Sequence, residues 1–202
     1  HTFYPKTLVI ESFDITFIGK YYSHYQDCPR LLFAALQSLI ATDQIAVDEV
    51  KVHFYTNAVG QADFAKLAKE YTLDNVVRVH NYIPRSEIVD RMHHSSIMLV
   101  LTTPIKQYGT HGMMGTKFYE ILGVEKPCLC LNSDEECLAE AIKNTHAGLA
   151  ATHVEDVKAF ILEKYQEWKA NGYTHQLVIN KEQFTRQHEA EQFEQVFLQC
   201  IK

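Results

Sequence analysis

The chain lacks an excess of basic residues, a long apolar run and a recognisable signal peptide. Its 202 residues carry a net charge of −6, whereas a nucleic-acid-binding domain presents a basic face, so we expect no nucleic-acid partner. The longest apolar runs, such as residues 96–101, are far too short to span a bilayer. The first residues do not resemble a signal peptide, because Lys6 leads into a mixed segment.

The five cysteines form no recognisable disulfide framework. Their number is odd, and no two of them are spaced as a CxxC pair. Cys128 and Cys130 stand two residues apart in a predicted strand, on one face, where they cannot easily bridge to each other. We interpret them as reduced thiols of a cytoplasmic protein. A zinc site is the alternative, although no further histidine or cysteine stands at ligand spacing nearby.

The chain does have a regular alternation of apolar and amphipathic stretches. Hydrophobic residues make up 47% and charged residues 22% of it, which allows one full core to be buried. The predicted strands are residues 13–18, 50–55, 75–80, 97–101, 128–131 and 148–150. The predicted helices begin at Pro29, after Gly60, after Pro84 and near Gly115, and two more cover residues 136–143 and 154–169.

The fourth predicted strand, residues 97–101, contains no polar residue. A strand that is apolar on both faces is covered on both faces, which favours a parallel sheet between two layers of helices. The repeated βα units predict a Rossmann-like, doubly wound α/β sheet over residues 13–170. We expect residues 1–12 to be a tail or linker, and residues 171–202 to form a loop and a terminal helix that packs on something other than the central sheet.

The segment 109–131 carries most of the functional signal. It joins a glycine-rich loop to a short amphipathic helix and then to an apolar strand. Free N–H groups at the helix start, near Gly115 and Thr116, attract phosphate, and the ammonium group of Lys117 adds to that attraction. Glu120, one turn further along, can accept two hydrogen bonds from a ribose diol. The segment therefore predicts a nucleotide site.

A second part of this site is predicted at the end of the first strand, at Gly19 and Lys20. In open α/β sheets, ligands bind beyond the carboxyl ends of the strands, where this turn would face the helix start. The residues also have purely structural interpretations. Lys117 and Glu120, at i and i+3, could be an ordinary surface pair, and Gly123 could simply end the helix.

Two aromatic groups are open to more than one interpretation. The cluster of tyrosines and a histidine at residues 21–25 could stack on a base or sugar, or could meet another domain. His93 and His94 predict a solvated helix end rather than a metal pair, because consecutive helical residues point about 100° apart.

Three short motifs are similar to landmarks of a known family. Gly19 follows an Ile-Thr-Phe-Ile strand, Asn-Tyr-Ile-Pro at 81–84 precedes Ser-Glu-Ile at 86–88, and Thr-Lys-Phe-Tyr-Glu-Ile-Leu at 116–122 precedes Lys-Pro at 126–127. They resemble the C-terminal domain of GT-B glycosyltransferases of the group 1 (GT4-like) type. The resemblance covers about residues 13–170, and its most specific part is the run that begins at Lys117.

The resemblance implies a role for each matching residue. Glu120 would bind the ribose of the donor, and the backbone around Tyr82 and Ile83 would lie beside the nucleobase. The two turns that would hold the diphosphate comprise Gly115, Thr116 and Lys117 on one side and Gly19 and Lys20 on the other. The terminal aromatic helix resembles the one that returns to the N-terminal domain in such enzymes.

The sequence departs from the family pattern at two positions. Gly112 stands where many members carry a glutamate, eight residues before the ribose-binding one. Asp27, Cys28 and Pro29 occupy the place of a lysine that is common before the first helix.

The length of the chain is also informative, because a GT-B enzyme has two Rossmann-like domains and 202 residues provide room for one. We expect the donor-binding half of a glycosyltransferase that moves a sugar from a nucleotide-diphosphate sugar to an acceptor hydroxyl with retention. It would need no metal or further cofactor, would be inactive alone, and would reach any membrane only through the missing half. The alternatives are half of a nucleotide-sugar epimerase and a flavodoxin-like interaction domain without a nucleotide.

Overall fold

The computed structural model describes residues 3–22, 28–102, 114–133 and 135–200. Its strands are β1 (Phe13–Ile18), β2 (Val50–Tyr55), β3 (Val77–His80), β4 (Ile97–Leu101), β5 (Cys128–Leu131) and β6 (Gly148–Ala151). Its helices are α1 (Cys28–Ala41), α2 (Ala58–Glu70), α3 (Arg85–His93), α4 (Thr116–Val124), α5 (Cys137–Thr145), α6 (Val154–Asn171) and α7 (Arg186–Cys200). A short 3-10 helix, Lys181–Phe184, precedes α7.

The six strands form one parallel sheet in the order β3-β2-β1-β4-β5-β6. The direction in which strands are added reverses between β1 and β4, and ligands of such sheets bind beyond the carboxyl ends of the strands at this switch point. The predicted Rossmann-like, doubly wound α/β fold is confirmed. The turn at Gly19 follows β1 directly, so the topology places it at that switch point.

Alternate residues of the strands enter two separate hydrophobic cores. Phe13, Ile15 and Phe17 of β1 pack in a core with residues of α1, α2 and α6. Ile18 belongs to the other core, which α3, α4 and α5 cover. Every residue of β4 is buried, as its uninterrupted apolar sequence predicts for a strand with helices on both sides.

The start of α2 differs from the prediction. The helix begins at Ala58, so Gly60 lies inside its first turn rather than before it. Gly60 is buried, and a methyl group added there would lie 2.7 Å from Tyr21 Cβ and 2.8 Å from Thr56 Cγ2. Here glycine allows a helix to pack closely on the residues after β1 and β2, a tertiary requirement that resembles a turn signal in the sequence.

Residues 3–12 lie along the domain without regular secondary structure. Ile10 is 9% exposed; its N–H donates a hydrogen bond to Gly172 O at 2.9 Å, and its carbonyl accepts one from Trp168 Nε1 at 3.1 Å. At the other end, none of the side chains of α7 is buried. None of the helices in the described ranges combines the length and the apolar character needed to cross a membrane.

Candidate functional site

The start of α4 presents backbone donors at the carboxyl edge of the sheet. Gly115, the residue before the helix, is extended, with φ −68° and ψ 140°, and no side chain caps the helix. The Phe118 N–H donates to Gly115 O at 3.0 Å, but none of the described residues accepts a hydrogen bond from the N–H of Thr116 or Lys117. The structure therefore brings two free amides to the predicted phosphate-binding turn, where the helix dipole also favours an anion.

The side chain of Lys117 crosses from α4 to the end of β1 and lies against Gly19. A methyl group added to the Gly19 α-carbon would be 2.6 Å from Lys117 Nζ and 3.3 Å from its Cδ. The Gly19 N–H donates a hydrogen bond to Tyr55 O at 2.9 Å, which holds the turn in place. The φ of Gly19 is +157°, a value that residues with side chains rarely adopt. The two turns predicted from separate parts of the sequence are thus in direct contact.

Lys117 and Glu120 carry opposite charges but do not form an ion pair within 4.0 Å, and neither has a hydrogen-bond partner among the described residues. Both side chains are half-buried. Burial lowers the pKa of Lys117, an effect that Glu120 partly opposes. Burial likewise raises the pKa of Glu120, against the effect of Lys117 and Arg85. The interpretation of Lys117 and Glu120 as a surface ion pair is therefore wrong.

Both groups line a small, largely apolar cavity between α3, α4 and the sheet. Its lining comprises Ile18, Ile88, Met92, Met98, Leu99, Lys117, Glu120 and Ile121, and its volume is about 10 Å³. That volume is enough for about one water molecule, so no nucleotide can enter it. The apolar side chains of this lining lower the local dielectric constant around the two charged groups, and any larger ligand would have to lie outside the cavity.

The other predicted site residues lie around the same edge. Lys20 is exposed, and its Nζ lies 4.8 Å from the centre of the Tyr22 ring. Ile83 is partly buried and packs against the same core as α4, while Tyr82 beside it is 54% exposed. Gly112 lies outside the residues that the structure describes.

Sequence reasoning missed Arg85, the first residue of α3. Its side chain is exposed, and its positive charge helps to lower the pKa of Glu120. Glu120 is thus influenced by a cation on each of two helices. The signal in the sequence was a basic residue immediately after Pro84, at the start of a predicted helix, which is an unusual place for a positive charge.

A hydrogen-bonded network that sequence reasoning also missed joins the two sides of the site. Asn57 Oδ1 accepts hydrogen bonds from the Tyr21 N–H at 2.9 Å and from Thr56 Oγ1 at 3.0 Å. Gln61 Nε2 donates to Thr56 O and to Asn81 Oδ1, each at 3.0 Å. The turn after β1 is therefore linked to the turn after β3, which fixes the spacing between the Gly19 side and the Ile83 side.

The two adjacent histidines do not behave alike. His93 is buried, and its Nε2 lies 2.8 Å from Tyr4 O, so its interpretation as part of a solvated helix end is wrong. The side chain of His94 is 44% exposed, beside Asp90. Within the described ranges, no three histidine, cysteine or acidic side chains are grouped so that they could hold a metal ion. Cys128 and Cys130 are buried in β5 without a disulfide, and burial raises the pKa of the Cys128 thiol to about 12.

Comparisons with known proteins agree with this architecture at the level of structure. No protein-family model matches the chain, and no curated protein matches it significantly in sequence. The pneumococcal O-GlcNAc transferase GtfA, solved in complex with UDP and GlcNAc, is similar with a TM-score of 0.61 at 13% identity, over 99% of this chain and 38% of that one. The C-terminal domain of LpcC, a group 1 family glycosyl transferase from Francisella tularensis, is similar with a TM-score of 0.54 at 11% identity, over 85% of this chain and 96% of that one.

The chain has the fold of a GT-B C-terminal domain. It spans 30% to 45% of the length of the larger glycosyltransferase chains that it matches. A putative UDP-N-acetylglucosamine 2-epimerase from Listeria monocytogenes is also similar, with a TM-score of 0.54 at 11% identity, over 79% of this chain and 38% of that one. The GT-B fold is therefore shared by transferases and by a putative epimerase, and the fold alone does not separate the two activities.

Proposed function

We propose that this chain is the donor-binding domain of a retaining glycosyltransferase, which transfers a sugar from a nucleotide-diphosphate sugar to an acceptor hydroxyl in the synthesis of a glycan or cell-surface polysaccharide. One observation carries the proposal. Lys117 and Glu120, an ammonium group and a carboxylate, are half-buried at the mouth of one cavity without a partner among the described residues. Leaving buried charges unpaired is costly, and a ligand with both a diol and a phosphate would satisfy both.

In the proposed complex, the Glu120 carboxylate accepts hydrogen bonds from the two hydroxyls of the ribose. The free N–H groups of Thr116 and Lys117, together with the Lys117 ammonium, bind the diphosphate at the positive end of the α4 dipole. Gly115 supports this turn by remaining extended before the helix, and Gly19 and Lys20 lie on the opposing side.

The nucleobase would lie beside the turn after β3. Tyr82 is exposed there and Ile83 packs inward, which leaves the backbone of this turn open to a flat ring. The network through Gln61 and Asn57 would keep this turn at a constant distance from the diphosphate side. A rigid spacing of this kind suits a ligand whose base and diphosphate are joined through one ribose.

The chemical contribution of this domain would be electrostatic. Negative charge develops on the diphosphate as it leaves the sugar, and donors that already point at that position stabilise it at no cost in reorganisation. The α4 amides and Lys117 provide such donors, and the apolar cavity behind them strengthens their effect. The proposed scheme uses only the chain's own groups and the donor.

The acceptor site would belong to a second domain, absent from this chain. The terminal helix α7 supports this, because it exposes a cluster of apolar side chains to solvent: Phe193, Val196, Phe197 and Leu198 are 51% to 65% exposed. We propose that the N-terminal domain of the intact enzyme covers this cluster, and that any membrane contact is made through that domain. Cys128 and Cys130 are buried and form no disulfide, which supports a reducing, cytoplasmic location.

The proposal is tested by calorimetry on the 202-residue chain with UDP, GDP, ADP and their sugars. We expect one nucleotide series to bind weakly, and Glu120→Ala to reduce its affinity about tenfold or more, because bonds between the ribose and a carboxylate are charge-assisted. Glu11→Ala is the matched control, since this exposed glutamate precedes β1 at the opposite edge of the sheet. If no series binds at millimolar concentration, the chain is an interaction domain instead. If Glu120→Ala binds as well as the wild type, the ribose assignment fails.

An epimerase half is the second candidate, supported by the structural similarity to a putative UDP-N-acetylglucosamine 2-epimerase. The two candidates share a donor site, so nucleotide binding does not distinguish them. Incubating the intact protein with a donor sugar and no acceptor does, because an epimerase converts the sugar under these conditions. A transferase leaves the sugar unchanged or hydrolyses it slowly.

A further inference from the structure

We propose that Gly19 serves donor binding as a positioning residue, because the absence of a side chain there lets Lys117 reach across the site and hold its ammonium between the two diphosphate-binding turns. This inference rests on the proposed function and assigns different roles to Gly19 and Lys117 within it. Gly19 would act through Lys117 rather than by contacting the diphosphate itself.

The path of the Lys117 side chain supports this role. Lys117 begins on α4 yet ends beside the residue that follows β1, and its Cδ and Nζ both lie within 3.3 Å of the position that a Gly19 β-carbon would take. Real Cβ atoms essentially never lie as close to another atom as the 2.6 Å that separates this position from Lys117 Nζ. Any residue other than glycine would therefore push the end of Lys117 away.

A side chain at Gly19 would displace the flexible end of Lys117 rather than the turn itself. The Gly19 N–H is bonded to Tyr55 O, and two residues later the Tyr21 N–H is bonded to Asn57 Oδ1, so the turn is fixed at both ends. The Lys117 stem lines a cavity with room for only about one water molecule, so little space is left for the displaced side chain on that side. We expect a displaced ammonium to move toward solvent, away from the α4 amides.

The electrostatics indicate what the ammonium is positioned to bind. It has no acceptor among the described residues, and burial lowers its pKa. An arriving phosphate would restore the missing interactions. Since the free N–H groups of Thr116 and Lys117 are at the same edge, the ammonium and the amides would meet the same anion from two sides.

A different role for Gly19 makes a different prediction. If glycine were needed so that the diphosphate could approach the backbone directly, Gly19→Ala would reduce affinity whether or not Lys117 is present. If glycine is needed for the path of Lys117, Gly19→Ala should have little further effect once Lys117 is shortened. A double-mutant cycle separates these two roles.

The experiment compares the wild type, Gly19→Ala, Lys117→Ala and the double variant of the 202-residue chain by calorimetry. Each is titrated with UDP, GDP and ADP and with the parent nucleosides uridine, guanosine and adenosine. The measured quantity is the ratio of nucleoside to diphosphate dissociation constants, which reports the contribution of the diphosphate alone. We expect both single variants to lower this ratio by about tenfold or more, and the double variant to resemble Lys117→Ala.

Gly172→Ala is the control for loss of stability. Gly172 also has a positive φ, +77°, and a methyl group added to it would lie 2.9 Å from Val9 Cγ1, but it lies at the end of α6, away from the site. It should lower the melting temperature without changing the ratio. Additive losses in the double variant, or an unchanged ratio in Gly19→Ala, would overturn the inference while leaving nucleotide binding intact. If no diphosphate binds the wild type, the proposed function itself is wrong.

Discussion

The imidazole rings of His53 and His80 lie side by side on neighbouring strands, with His53 Nδ1 3.0 Å from His80 Nε2. The other nitrogen of His53 lies 3.4 Å from Asp14 Oδ2, and the His80 ring stacks on Tyr55 with ring centres 4.5 Å apart. The hydrogen bond between the rings requires one nitrogen to be unprotonated. The pair therefore cannot carry two full charges without losing that bond.

This pair predicts a dependence of stability on pH. Burial lowers the pKa of His80 below its ordinary value of 6.5, and the nearby charges of His53, Arg91 and Arg78 lower it further. The unfolded chain then binds more protons than the folded one. The stabilisation is fully present above pH 6.5 and is lost as pH falls through the folded pKa.

Thermal melting of the wild type between pH 8 and pH 5 should show this loss. The variant His80→Phe keeps the ring that stacks on Tyr55 but cannot be protonated, so its melting temperature should vary less over the same range. His188→Gln, on the exposed helix α7, is the control and should follow the wild type. Equal slopes for the wild type and His80→Phe would contradict the prediction.

The charged site residues should make the ligand-free domain less stable, as functional residues often do. The pKa of Glu120 is raised in the folded state above its unfolded value of 4.5. The contribution of Glu120 to stability is therefore fully present only below pH 4.5 and is lost as pH rises through the folded pKa. The amide of Glu120→Gln resembles the neutral acid. At pH 7 this variant should melt about 1–4 °C higher than the wild type.

Glu49→Gln provides the opposite case in the same chain. Hydrogen bonds from Lys169 Nζ, at 2.6 Å, and from Tyr165 lower the pKa of Glu49. The stabilisation that Glu49 gives the folded domain is therefore present above pH 4.5 and is lost as pH falls through the folded pKa. Glu49→Gln should accordingly have a lower melting temperature than the wild type at pH 7. The check is calorimetric melting of both variants at pH 7. If Glu120→Gln and Glu49→Gln changed the melting temperature in the same direction, burial would not be the main influence on the pKa of Glu120.

The two lysines of the site should contribute unequally to nucleotide binding. Lys117 is half-buried against Gly19, whereas Lys20 is exposed and lies over the Tyr22 ring. Solvent screens an exposed charge much more strongly. We expect Lys117→Met to weaken diphosphate binding about tenfold or more and Lys20→Met about twofold to threefold.

The salt dependence of these affinities gives a second measurement. The loss of diphosphate affinity in Lys20→Met should become smaller as the salt concentration rises, because salt screens an exposed charge. The exposed Lys143, in the last turn of α5, offers Lys143→Met as a control without effect. A larger loss for Lys20→Met than for Lys117→Met would assign the main phosphate charge to the turn after β1.

The exposed cluster on α7 should promote self-association of the isolated chain. None of the α7 side chains is buried, so replacing Phe193 and Phe197 with serine removes no packing within the domain. The double variant should sediment as a monomer at concentrations at which the wild type associates, while the melting temperature changes by less than about 2 °C. A larger fall in melting temperature would show that α7 packs on its own domain.

Much of the fold was predictable because burial on a periodic backbone leaves a local pattern. The apolar run at 97–101 indicated a strand covered on both faces, and β4 is buried throughout. The run at 116–122 placed Lys117 and Glu120 on the first turns of a helix, and α4 begins at Thr116. Each of these inferences needed only neighbours within a few residues, since strand and helix periods are short.

The tertiary structure alone decided which distant residues meet. Gly19 and Lys117 come from opposite halves of the described chain, and their contact depends on β4 lying beside β1. Similarly, the spacing of Lys117 and Glu120 suggested a surface pair, and only the packing of α3 and α4 over the sheet left both charges half-buried and unpaired. Sequence determined the elements and their residues, because periodicity is local. Strand order and helix packing determined the site, because they set the distances and the dielectric environment between groups that sequence spacing does not relate.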